Sequence, residues 1–158
     1  MSSFATQYVA MTAPLIGTFT SNGVSTGVVE VRSQAGGPVT SVNVAEVTGD
    51  GTWWVLSAST PQIIVTVPAN LDTVLSPIAM SGQSTAFEAV VNVTVRADGS
   101  LAPLATNTVM GGSMGAMGPF AKSIPFAVTA ATDGAVMFRE ISPRDSRYIE
   151  ATVVRVHF

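Results

Sequence analysis

The sequence predicts an all-β chain organised around an antiparallel β-sandwich, and three observations carry that prediction. Short apolar runs with a period of two recur from about residue 26 to the C-terminus, turn residues separate them at fairly even spacing, and only one stretch, near the N-terminus, has a helical period. With 158 residues, 47 % of them hydrophobic and 11 % charged, the chain closes one sizeable core or a compact domain with a small appended unit. Its 14 glycines and 9 prolines suit tight turns between strands rather than disorder.

Residues 4–15, FATQYVAMTAPL, place Phe4, Tyr8, Met11 and Leu15 on one face of a short helix that Pro14 limits. TGVVEVRS, PVTSVNVAEV and TWWVLSAS then read as a three-stranded meander, the last run following the Gly49-Asp50-Gly51 turn. Ser59-Thr60-Pro61 marks a boundary, so residues 1–60 form a small helix-plus-meander unit, an α+β extension, and residues 61–158 a second domain. Seven further runs follow: QIIVTV, SPIAMSG, FEAVVNVTVRA, LAPLATNTVM, FAKSIPFAV, AVMFREIS and YIEATVVRVHF. Seven short strands in roughly 95 residues, with turns expected at Asp98-Gly99 and Asp133-Gly134, have the pattern of an immunoglobulin-like sandwich. With no cysteine in the chain, packing alone must hold its two sheets together.

The run that begins at Phe87 sets a question of faces. In a strand starting there, Phe87, Ala89, Val91, Val93 and Val95 point one way, and Glu88, Val90, Asn92, Thr94 and Arg96 the other. The first row is the core row. Glu88 falls on the polar side, beside no second titratable group that would tune it for acid-base work, and reads as a surface residue.

The net charge of −3, from 7 basic and 10 acidic residues, leaves no basic footprint for phosphates, so no nucleic-acid partner is expected. Arg139, Arg144, Arg147 and Arg155 cluster near the C-terminus, but Glu140, Asp145 and Glu150 are interleaved with them, as on a solvated face with mutual pairing. The lack of cysteine excludes disulfide frameworks, zinc-thiolate sites and thiol nucleophiles. No run approaches the roughly 20 apolar residues that span a bilayer, and no secretory leader pattern is present. Any signal or anchor is expected to lie outside this sequence.

Candidate sites are few. MGGSMGAMGPF, residues 110–120, lacks the Gly-Lys-Ser/Thr ending of a phosphate cradle, and Pro119 with a β-like run stands where an anion-binding helix would start. The loop reads instead as a flexible connection in which Met114 and Met117 offer an adaptable apolar contact surface or simply pack. Trp53 and Trp54 are strand neighbours whose side chains point to opposite faces. Trp54 shares parity with Leu56 and Ala58 and reads as the core member. Trp53 is either covered between the N-terminal unit and the sandwich or free to stack on a sugar or a peptide. His157 is the single histidine, and neither a metal set, a calcium loop nor a Ser-His-Asp grouping can be assembled around the scattered carboxylates. No catalytic residue, metal or cofactor is therefore expected.

Residues 63–158 resemble the immunoglobulin-like domain associated with bacterial spore germination and sporulation proteins. The resemblance rests on SPIAMSGQSTAFEAVVNVTVRADG, with its Ser-Pro, a strand ending in Ser-Gly, and Phe-Glu opening a long strand that ends at Asp-Gly. MGPFAKSIPF and VMFREISPRDS continue it. The Ala-, Val- and Gly-rich composition is similar to that of high-GC actinobacterial sequences. The resemblance implies an extracytoplasmic module of the cell envelope, often part of lipoproteins or multidomain surface proteins, with no catalytic residues to carry over. Three functional readings follow: a non-catalytic interaction module that meets an envelope protein, a carbohydrate or peptidoglycan binder acting through Trp53, and an accessory domain of a larger envelope enzyme.

Overall fold

A computed structural model describes residues 1–158. The first four strands, β1 (Leu15–Ser21), β2 (Thr26–Arg32), β3 (Thr40–Glu46) and β4 (Trp53–Ser59), form a continuous antiparallel meander. They are followed by β5 (Ile63–Val67), β6 (Asp72–Thr73), β7 (Ile78–Ser84), β8 (Val90–Ala97), β9 (Ala105–Met110), β10 (Gly118–Ile124), β11 (Asp133–Ile141) and β12 (Tyr148–His157). The large sheet runs β1-β2-β3-β4-β12-β11-β8-β9, with β6 lying parallel along the end of β12, and the small sheet runs β10-β7-β5. The small sheet covers one face of β8, β11 and β12, which makes the immunoglobulin-like sandwich.

Every run read as a strand is one. The two strands the periodicity missed are β1, all seven of whose residues are exposed and whose pairing with β2 slips between Ile16 and Phe19, and the two-residue β6. The N-terminal helix is one turn only, Phe4–Tyr8, after which positive φ angles at Ala10 and Ala13 turn the chain toward β1. So short a helix has little stability of its own. Its apolar stripe is still used as the spacing predicts: Met11 is buried, and Phe4 and Tyr8 pack against the same cluster, while Leu15 belongs to β1 instead. Gly134, expected in a turn, lies inside the β11 ladder opposite Ala97 and Val156.

The core between the sheets is built from alternate residues. Val91, Val93 and Val95 of β8, Val136 and Phe138 of β11 and Val154 and Val156 of β12 meet Ile63, Ile78, Met80, Phe120 and Ile124 of the small sheet. Phe120 and Phe138 pack with ring centroids 5.8 Å apart. The face reading for β8 thus holds from Val91 onward and fails before it. Residues Phe87–Ala89 form a tight helical turn with positive φ at Glu88 and Ala89, so Phe87 is not in the ladder and stays 42 % exposed. The other row of β8 is not solvated either, because Thr94 and Arg96 are buried.

They are buried by the N-terminal segment. Ala5, Val9 and Met11 lie over Ala135 and Met137 of β11, Ala151 and Val153 of β12, and Ala58, Val42, Val44 and Val31 of the meander, forming a second cluster on the opposite face of the large sheet. The first cluster draws only on residues from Ile63 onward. The second draws on both sides of residue 60, and it supplies the buried apolar contacts of the meander.

The division at residue 60 is therefore proposed as one of folding, not of space. A fragment starting at Gln62 keeps its inter-sheet core and is expected to fold, with dispersed amide signals, but to unfold at lower denaturant than the full chain because Ala135, Met137, Ala151 and Val153 lose their cover. Residues 1–60 alone are expected to give no cooperative transition. A disordered Gln62 fragment overturns the proposal.

The turn at Phe87 makes a second prediction, read by chemical denaturation. Val93→Ala is expected to cost roughly 2–3 kcal/mol, two methyl groups plus a partly collapsed cavity. Phe87→Ala is expected to cost less than about 1.5 kcal/mol, and Glu88→Gln to stay within about 0.5 kcal/mol. Ala89→Gly removes a side chain from a left-handed position and is expected to stabilise by about 0.5–1 kcal/mol.

Candidate functional site

The two tryptophans of β4 point to opposite faces, as alternation requires, and neither is in the core. Trp53 is 42 % exposed and Trp54 55 %. The assignment of Trp54 to the core is thus corrected: its neighbour by parity, Leu56, is also exposed, and the two flank a recess of about 400 Å³ with Val47, Leu71 and Arg155. That recess lies where the small sheet does not reach.

Trp53 meets Phe19 edge to face, with ring centroids 5.0 Å apart and the planes at 72°. Gly27 makes this possible. A Cβ at that position would sit 2.1 Å from Phe19 Cε2, so only glycine lets the Phe19 ring cross β2 toward β4. Met1, Phe19, Val29, Val44, Trp53 and Val55 together line a wholly apolar groove of about 310 Å³. It continues the apolar face that residues 1–11 cover farther along the sheet, and it ends at β1, the sheet's open edge.

Met114 and Met117 are elsewhere. They sit in the connection from β9 to β10, with Met114 81 % exposed and at positive φ. The glycines around them serve close backbone approach, since a Cβ on Gly112 would lie 2.0 Å from the Ala116 carbonyl oxygen. β9 and β1 are opposite ends of the large sheet, so the structure does not bring the methionines to Trp53.

The charged residues near the C-terminus divide in a way the sequence did not indicate. Arg147 pairs with Asp145 at 3.5 Å, and Arg155 with Asp98 through Nη1 and Oδ1 at 2.6 Å. Arg139, Glu140 and Glu150 are buried, which corrects their reading as part of a solvated face. Arg139 projects to the N-terminal side of the sheet, with no carboxylate in reach. It donates from Nη1 to the Val9 carbonyl at 3.1 Å and from Nη2 to Thr94 Oγ1 at 2.6 Å, and stacks on Tyr148 at 4.0 Å. Burial pulls its guanidinium below the usual value. Arg96 lies over the Tyr8 ring at 5.0 Å, and burial, then the Asp98 carboxylate, pushes the Tyr8 phenol up. These side chains fasten the N-terminal segment to the sheet and offer no exposed nucleophile or acid-base pair.

The fold defines an immunoglobulin-like module that exposes aromatic and apolar side chains on β1 and β4. The chain belongs to the family described as the immunoglobulin-like domain of bacterial spore germination, whose model matches residues 62–147, more than half of the sequence and the span from the start of the small sheet to the end of β11. No curated protein and no solved structure matches the chain. No helix is long and apolar enough to cross a membrane.

Arg139→Met is expected to keep the fold and release its first eleven residues. Removing two hydrogen bonds from a charged donor costs on the order of 2–3 kcal/mol locally, whereas the flexible thioether fills much of the vacated space. Amide hydrogen exchange should accelerate at Val9 and Met11, which donate to Phe4 and Ala5, and stay slow along β8 and β11.

Proposed function

We propose that the chain is a non-catalytic interaction module of a bacterial cell envelope, working outside the cytoplasm, and that the Phe19–Trp53 groove is its contact surface. Family membership supports the module and its link to germination proteins. The observation that carries the contact surface is an apolar groove, floored by two aromatic rings, that opens beside a strand whose outer edge is unpaired. Exposed aromatic rings supply large contact area at small entropic cost. The outer edge of β1 carries free backbone donors and acceptors, the requirement for adding a strand. An extended segment of another envelope protein fits both: it pairs with β1 and sets alternate side chains against Phe19 and Trp53.

A second reading is favoured by Trp53 alone, whose exposed indole is a stacking platform for a sugar ring of peptidoglycan. Two measurements separate the readings. A photo-crosslinking residue at Ile16, on β1, is expected to trap one defined polypeptide in the envelope fraction of the producing bacterium, and the adduct should vanish in Phe19→Ala and Trp53→Ala. Purified insoluble peptidoglycan should fail to sediment the protein. Sedimentation that is lost in Trp53→Ala replaces the first reading with the second. Adducts from position 114 in place of position 16 move the contact to the Met114–Met117 tip.

A further inference from the structure

The sandwich contains two buried carboxyl groups placed directly opposite each other. Glu140 on β11 and Glu150 on β12 are register partners, 5 % and 0 % exposed, and neighbouring positions in an antiparallel pair bring Cβ atoms within about 5.5 Å. Each carboxyl has one oxygen in use and one without a partner. Glu140 Oε1 accepts from the Phe87 amide at 2.7 Å and Glu150 Oε2 from the Thr60 hydroxyl, while Glu140 Oε2 and Glu150 Oε1 are buried and unpaired. Two ionised carboxylates at this spacing away from water repel strongly, and a single proton held between them satisfies both orphaned oxygens at once.

The pair sits where the chain passes between the sheets. Thr60 lies on the crossing from β4 in the large sheet to β5 in the small one, and Phe87 on the return crossing from β7 to β8. The two crossings are themselves joined, because the Thr85 amide donates to the Gln62 carbonyl at 3.0 Å. Thr152 Oγ1 holds the same place, donating to the Ile63 carbonyl at 2.6 Å and accepting from the Thr60 amide at 3.3 Å. We propose that Glu140 and Glu150 share one proton and act as a pH-dependent latch that ties both inter-sheet crossings to the central ladder.

No cation opposes the latch. On β11 the adjacent Arg139 projects to the other face, on β12 the inward row continues as Thr152 and Val154, the β4–β5 crossing presents Thr60 and Gln62, and on the β7–β8 crossing Glu88 is exposed to solvent. Burial above all, with the hydrogen bond and charge of Glu140 adding to it, holds Glu150 up at about 8, against an ordinary 4.5, while the Thr60 hydroxyl acts in the opposite direction. The sign follows. Between these values the folded chain keeps a proton that the unfolded chain has released, so stability is fully present below about 4.5, falls as pH rises, and levels off above about 8.

Infrared spectroscopy of the intact protein tests the shared proton without reference to stability. At pH 6 a buried protonated carboxyl stretch is expected; it should fade near pH 8 and be missing in Glu150→Gln, whose amide can donate to Glu140 and accept from Thr60. In denaturation the folding equilibrium constant should fall by up to about tenfold per pH unit between about 5 and about 8, more steeply than in Glu150→Gln. Two milder variants keep the test decisive if that one misfolds. Glu140→Gln should move the fading of the band to lower pH, and Thr60→Val to higher pH. A wild-type spectrum with no protonated carboxyl at pH 6, or a band unmoved in both milder variants, overturns the proposal.

Discussion

β11 has no solvent side, and most of the structure answers to that constraint. It runs between β12 and β8 in the centre of the large sheet, with the small sheet on one face and residues 1–11 on the other, and every residue from Gly134 to Glu140 is buried. A strand enclosed in this way must fill both of its alternating rows with groups that find partners inside the protein. The first row, Val136 and Phe138, closes the sandwich. The second, Ala135 and Met137, packs against Ala5, Val9 and Met11 of the N-terminal segment. Each row then ends on a charged residue, and the two are accommodated by different chemistry. Arg139 spreads its charge over a carbonyl, a hydroxyl and an aromatic face, whereas Glu140 faces a second carboxyl with which it holds a proton in common.

The same constraint connects the core to the contact surface. Residues 1–11 cover the part of the large sheet that includes β11 and β12, and their cover thins toward β1, where Met1 lines the groove with Phe19 and Trp53. The groove is the open remainder of one continuous apolar face. Apart from Met1, its residues are strand residues held by the β1–β4 ladder, so a partner meets a surface largely formed and little ordering remains to oppose binding. Attachment of the N-terminal segment therefore affects more than stability, since a chain with that segment released exposes a wider apolar face at the same place.

Much of this fold was legible because a period of two survives wherever one face of a strand is buried. Val91, Val93 and Val95 could be assigned to the core on spacing alone. The core-row assignment failed at Phe87 and Ala89, though Glu88 is exposed as read, because a left-handed φ is a local backbone choice that nothing in Phe-Glu-Ala announces. β1 was not legible because all its residues are exposed and a bulge interrupts its alternation, so no period remains to detect. Trp54 misled for a related reason: the β3–β4 pairing slips at Leu56, so Ala58 shares the buried face of Val55 and parity does not carry from Ala58 back to Trp54. The buried charges of β11 and β12 were hidden most completely. Arg139 and Glu140 are consecutive charges near the end of an apolar run and Glu150 lies between Ile149 and Ala151, places where charges commonly meet solvent, and only the three-dimensional arrangement shows that both faces are enclosed.

A buried carboxyl pair is not the most stable way to join two crossings, since well-packed apolar residues of similar volume commonly do as well or better. What the pair adds is register. Glu140 opposite Glu150 is the last regular pairing of the β11–β12 ladder before it slips between Glu140 and Ile141. A one-residue displacement of β11 would exchange its rows, carrying Arg139 into the inter-sheet core and Glu140 onto the face beneath the N-terminal segment. Arg139 would lose the Val9 carbonyl and the Thr94 hydroxyl, and Glu150 would lose the acceptor for its proton. Apolar residues of equal size at 140 and 150 would penalise that slip far less, because Val, Met and Phe pack on either face. In a chain without cysteine, the carboxyl pair and the arginine on its opposite face let only one alignment of the central strands give Arg139, Glu140 and Glu150 their partners.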